Sequence, residues 1–256
     1  MSPSTTERPW LVDPVNECVQ YLADEIMYAS LVERGVRILS VSEPVVRAAK
    51  LHVKSQGVES KYLASFETLE NEARMAEPHA KRVLNDNFRR LYRHSAVGMW
   101  AAIETMIDQM IIGAMKNIDD YKNRIANTHP SLAGSNWFKR SSSTLEEERR
   151  KYEGTLSNDF PNVVDRYVEL LRPFGVTINL QSETRSLLTE MSEMRNIVLH
   201  KGAVVDDRFL QKCPWTNLST GDEYIITHEG IHKFHEGCSN FVLEILGNLK
   251  TPKMES

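Results

Sequence analysis

Residues 97–115 read VGMWAAIETMIDQMIIGAM, and this stretch decides the fold class. It is apolar enough to be buried along most of its length, yet Glu104 and Asp108 interrupt it, which argues against a membrane span and for an amphipathic core helix. Extended outward, the pattern predicts one long helix over residues 85–125. Leu91, Ala96, Trp100, Ile103, Ile107, Met110 and Ile111 recur on it near 3.6-residue spacing and supply a buried stripe. Glu104 falls inside that stripe. A carboxylate there either faces a site and orients a cation or sits on a solvated, salt-bridged edge.

On the N-terminal side, Pro14 is read as opening a helix that carries Val15, Val19, Leu22 and Ile26, and a second helical pattern covers residues 61–84. Residues 1–84 then form a helical extension, with membership in one larger bundle as the alternative. On the C-terminal side, residues 135–154 read SNWFKRSSSTLEEERRKYEG, rich in serine and charge and poor in apolar periodicity, so a long loop is expected. Trp137, Phe138, Lys139 and Arg140, followed by Arg149, Arg150 and Lys151, place aromatics beside cations. They read either as an RNA-contact segment or as a plain solvated loop. Helices are expected again over residues 161–171 and 182–200. A short extended segment over residues 223–227 precedes a last helix starting near His228, and residues 251–256 form a disordered tail. The fold class is therefore mainly α, a helical bundle.

Composition narrows the chemistry. With 256 residues, 41% hydrophobic, 26% charged and a formal net charge of -4, there is material for a core, and any polyanion would need a local basic patch. Cys18, Cys213 and Cys238 are odd in number, far apart and outside any CxxC pair, which suits reduced thiols in a cytoplasm. The first ten residues, MSPSTTERPW, lack the pattern of a secretory signal. Walker A, GxGxxG, GxSxG and zinc-finger spacings are missing, so nucleotide-cofactor chemistry and serine hydrolysis lack support.

The richest segment is EMRNIVLHKG, residues 193–202, in which Arg195, Asn196 and His200 precede Gly202, a natural helix stop. The Arg-x4-His spacing recurs elsewhere, at Arg47/His52, Arg89/His94 and Arg124/His129 among other places, so spacing alone does not choose among the copies. Only the Arg195 copy has Asn directly after the arginine and lies near the end of a strongly amphipathic helix. Arg124/His129, next to Pro130, is its main rival. Leu187, Leu188, Met191, Met194 and Val198 form an apolar stripe with Asn196 and His200 on the opposite face. Arg195 and His200 are roughly 140° apart on an ideal helix, so they converge only if the helix end bends or a second subunit contributes. Otherwise Arg195 is an edge ion pair and His200 a C-terminal cap.

These residues, with GAVVDDRFL (residues 202–210) and GDEYIITHEGIHKF (residues 221–234), resemble the HEPN superfamily, in particular its RiboL-PSP subgroup, over roughly residues 85–250. The resemblance implies a HEPN-type bundle that forms a two-fold homodimer and cleaves single-stranded RNA without metal or cofactor. Arg195, Asn196 and His200 would be its site residues, and Glu104 joins them as a candidate through its place in the helical stripe. It also implies a toxin or phage-defence effector, with an antitoxin or defence-system partner. Two other readings stand beside it: a catalytically silent HEPN dimer that binds RNA or scaffolds, and a zinc hydrolase. The last rests on His228-Glu229-Gly230-Ile231-His232, which matches HExxH. Gly230 weakens the helix that motif needs, and no third ligand follows at a metzincin spacing, although His235 lies near the same face. The alternative is a Thr227 N-cap, with Ile231, Phe234, Cys238, Phe241 and Ile245 as a core stripe.

Overall fold

The structure, a computed structural model, describes residues 8–57, 60–133 and 144–250. Among them run eleven helices: α1 (Pro9–Leu39), α2 (Ser42–Ser55), α3 (Ser60–Asn85), α4 (Arg89–Asn117), α5 (Tyr121–Thr128), α6 (Pro130–Ala133), α7 (Leu145–Leu156), α8 (Val163–Leu171), α9 (Ser182–Lys201), α10 (Asp207–Lys212) and α11 (His228–Lys250). No strand forms among the described residues. Where the pattern over residues 223–227 predicts an extended segment, only a single antiparallel bridge joins Val204 to Glu223. The molecule is a mainly α bundle, and no described helix is long and apolar enough to cross a membrane.

Helix α4 is the central rod. Met99, Trp100, Ile103, Ile107, Met110 and Ile111 are almost fully buried on it, each contributing on the order of 1.5–3 kcal/mol by leaving water. Around it pack α1, α7, α8, α9 and α11. Leu11, Val15, Cys18 and Leu22 of α1 enter the same core as the α4 stripe, while α2 lies mainly on α3. Ion pairs cross the α2–α3 hairpin, with Lys50 3.1 Å from Glu70 and 3.6 Å from Glu67.

Four sequence expectations need correction. The single helix over residues 85–125 is two, because the backbone turns extended at Ile118 (φ −118°, ψ 104°) before α5 begins after Asp120. Pro14 lies inside α1 instead of opening it, since the helix already starts at Pro9. The N–H that residue 14 lacks is the usual donor to the Trp10 carbonyl. Helix α2 was not anticipated. The segment read as a loop over residues 135–154 ends in helix α7: Thr144 Oγ1 accepts from the Glu147 N–H (3.2 Å), and Glu146, Glu147 and Glu148 suit the positive helix start. Trp137, Phe138, Lys139 and Arg140 lie outside the described residues.

The last turn of α9, where His200 lies, is fixed from several sides. Gly202 adopts φ +62°, a left-handed conformation that costs glycine little, and the Ala203 N–H then donates back to the Ile197 carbonyl at 2.9 Å. Beyond it the Tyr224 N–H donates to the Ala203 carbonyl at 2.8 Å. Arg93, at the start of α4, donates to the Tyr224 carbonyl (3.1 Å) and to Glu223 (2.6 Å), which also accepts from Arg89 (3.0 Å). The end of α9 is thereby tied to the beginning of α4.

Candidate active site

Helix α9 buries Leu188, Met191, Met194 and Ile197, with Leu187 and Val198 half-buried at the margins. Arg195 and Asn196 flank that face and are partly exposed, and His200 and Leu199 are exposed at the helix end. An Arg195 Nη lies 3.7 Å from a Glu104 carboxylate oxygen of α4, with about a third of each side chain exposed. Its other Nη donates to the Asn196 side-chain oxygen at 3.3 Å. At 3.5 Å, Glu104 also accepts from the Tyr167 hydroxyl of α8, whose ring stacks on Trp100 with 6.0 Å between centroids. Burial, with the Glu104 charge beside it, pushes the Tyr167 hydroxyl well above its ordinary range. Tyr167 therefore stays a donor to Glu104, which lies between a phenol and a guanidinium.

The structure thus gathers Arg195, Asn196 and Glu104, with Tyr167 and Trp100 behind them. The sequence reading missed Tyr167 and Trp100 as supports for Glu104, since Trp100 read there only as apolar core and Tyr167 was not singled out. His200 is not part of that cluster. Helix α9 is unbroken from Ser182 to Lys201, so Arg195 and His200 diverge by roughly 140° and are separated by about 7.5 Å of axial rise. A bend at the helix end does not bring them together within one copy.

The rival motifs have other occupations. His129 is buried, with Nε2 3.2 Å from the Glu169 carbonyl and its ring between Tyr152 and Phe160, while Arg124 pairs with Asp120. Arg89 is held by Glu223, and Arg47 pairs with Glu43 and Glu70. Arg149, read as an RNA-contact candidate, turns inward to Asp108 (2.7 Å) and Glu153 (2.8 Å) and keeps only 12% of its side chain exposed. Burial there raises the Asp108 carboxyl above its ordinary value against the pull of Arg149.

In the HExxH segment, the Thr227 hydroxyl accepts from the Gly230 N–H at 3.0 Å, so Thr227 caps α11. Ile231, Phe234, Cys238, Phe241 and Ile245 are buried as its core stripe. His228 sits 3.1 Å from Glu33, its ring 4.7 Å from that of His232, and Glu229 pairs with Lys233. Burial, with His232 nearby, lowers the pKa of His235 and so favours its neutral form. No group of three metal-ligating side chains is gathered among the described residues. A groove of about 270 Å³ between α1 and α4, walled by Cys18, Tyr21, Gly98, Thr105 and Gln109 among others, shares no residue with the Arg195 cluster. Compared with known proteins, the chain matches no family model, no curated protein and no solved structure.

Proposed function

We propose that this chain is a metal-independent endoribonuclease of HEPN type, cleaving single-stranded RNA at a composite site between two copies. The observation that carries this reading is the partly exposed Arg195, oriented by Glu104 and Asn196, on the same helix as an exposed His200. Because one copy directs Arg195 and His200 apart, a two-fold partner is the simplest way to bring arginine and histidine to one phosphate. The buried state of His129 removes the main rival motif.

In that site an imidazole takes the ribose 2′ proton as the 2′ oxygen attacks phosphorus, and a second imidazole protonates the 5′ oxygen as the P–O5′ bond breaks. The products are a 2′,3′-cyclic phosphate and a 5′-hydroxyl. Arg195 holds the scissile phosphate and stabilises charge on its oxygens, and Asn196 orients Arg195. The toxin or phage-defence role and its partner rest on the family resemblance. A cytoplasmic location is supported by three buried, unpaired thiols, those of Cys18 and Cys213 pushed up by burial to about 12. The Arg195–Glu104 pair also supports a second reading, a silent RNA-binding dimer, because the carboxylate offsets the charge needed at phosphorus. Incubation with single-stranded RNA and DNA in EDTA tests both: cyclic-phosphate ends on RNA with intact DNA support cleavage, and RNA binding without product supports the silent dimer.

A further inference from the structure

Helix α1 carries two apolar faces. Leu11, Val15, Cys18, Leu22 and Ala29 are buried in the bundle. On the other side Met27, Tyr28, Leu31 and Ile38 are 60%, 55%, 59% and 69% exposed. At 100° per residue these four fall within an arc of about 100°, centred nearly opposite the buried face. Gly35 lies inside the same arc with nothing within 4 Å of where a Cβ would be. An apolar stripe along a surface helix marks a contact that the isolated chain does not make.

We propose that this stripe joins two copies of the chain through antiparallel packing of α1 on α1. The area fits: at on the order of 200 Å² for a large side chain, the four expose roughly 500 Å². The polar side chains flanking the stripe bring the buried surface near the about 800 Å² per partner that a stable interface removes. The charges fit as well. Asp24, exposed in the N-terminal half and bonded to Gln20 (2.9 Å), and Arg34, exposed in the C-terminal half, are equidistant from residue 29. A two-fold axis near that residue sets Asp24 opposite Arg34 of the second copy and interleaves Met27 with Leu31. Parallel packing would set Asp24 against Asp24. This contact is separate from the one through α9 that RNA cleavage requires.

Light scattering on the eluting full chain at micromolar concentration tests the proposal. Leu31→Glu, with helicity unchanged because the site is exposed, halves the mass of the wild-type assembly, whether that is a dimer or a tetramer. Asp24→Arg and Arg34→Asp each weaken association several-fold, and the double variant restores it. Tyr28→Cys, in a chain whose native cysteines are all buried, forms a covalent dimer on mild oxidation. A monomeric wild type overturns the proposal, as does one that binds lipid vesicles through this stripe instead, a Leu31→Glu variant of unchanged mass, or a double charge reversal that fails to restore association.

Discussion

Replacing Gly113 with alanine sets two effects of opposite sign against each other. Gly113 lies within α4, where alanine is favoured over glycine by up to about 1 kcal/mol through helix propensity. A Cβ there would lie 2.9 Å from Trp10 Cβ and 3.1 Å from the Trp10 carbonyl oxygen. The second atom is backbone and yields only if α1 moves off α4, an overpacking cost typically of 1–3 kcal/mol. The carbonyl is also the one whose usual donor Pro14 removes, so this close approach of α4 falls where the α1 ladder is interrupted. Overpacking wins: Gly113→Ala is expected to lose about 1 kcal/mol net, a fall in Tm of roughly 2–4 °C for a chain of this size. Gly154→Ala in α7, with nothing within 4 Å of the new Cβ, supplies the control and should be neutral or stabilising. Thermal or urea unfolding followed by circular dichroism measures both. A Gly113→Ala protein as stable as wild type would refute the claim that the first turns of α1 are held against α4.

Two other variants probe the site and its anchor. Glu104→Gln keeps the Tyr167 hydrogen bond but removes the charge beside Arg195. Because the pair is a third exposed at 3.7 Å, the stability loss should stay below about 1 kcal/mol, while single-turnover RNA cleavage falls roughly tenfold as the guanidinium loses its orienting partner; unchanged cleavage would remove Glu104 from the site. The Glu223 carboxyl is held below its ordinary range chiefly by its hydrogen bond from Arg93, with both arginine charges adding. Its stabilising contribution is therefore full above the ordinary value of 4.5 and is lost as pH falls through the lowered value. Melting curves of wild type and Glu223→Gln should differ near neutral pH and converge in acid, and a difference that persists or grows in acid would contradict the ion pair.

How much of this was legible in the sequence depended on what kind of signal each element carries. The α4 stripe from Trp100 to Ile111 was readable because buried apolar residues at helical spacing leave a periodic mark. The Thr227 cap and the α11 stripe were readable for the same reason, together with capping chemistry. The break at Ile118 was hidden, since apolar spacing continues across it into Ile125 and only the backbone turn before Asp120 marks the new start. Helix α7 was hidden by its charge: Thr144 followed three residues later by Glu147 is a capping signature, but the serine-rich stretch before it and the glutamates after it read as solvated loop. Arg149 was misread because sequence shows a cation without showing that Asp108, forty-one positions earlier, faces it. At the site, the motif singled out Arg195, Asn196 and His200, but the Tyr167 and Trp100 supports for Glu104 depend on how α8 packs on α4, which no local pattern encodes.

Cleavage at the proposed site turns on His200. Wild type and His200→Ala, both shown to retain the helical fold, are to be compared for cleavage of single-stranded RNA in EDTA, with rates taken from the appearance of 2′,3′-cyclic phosphate ends. Wild type is expected to cleave and His200→Ala to be slower by about 10²-fold or more, the usual scale for losing a general acid or base. Equal rates from the two proteins would contradict it.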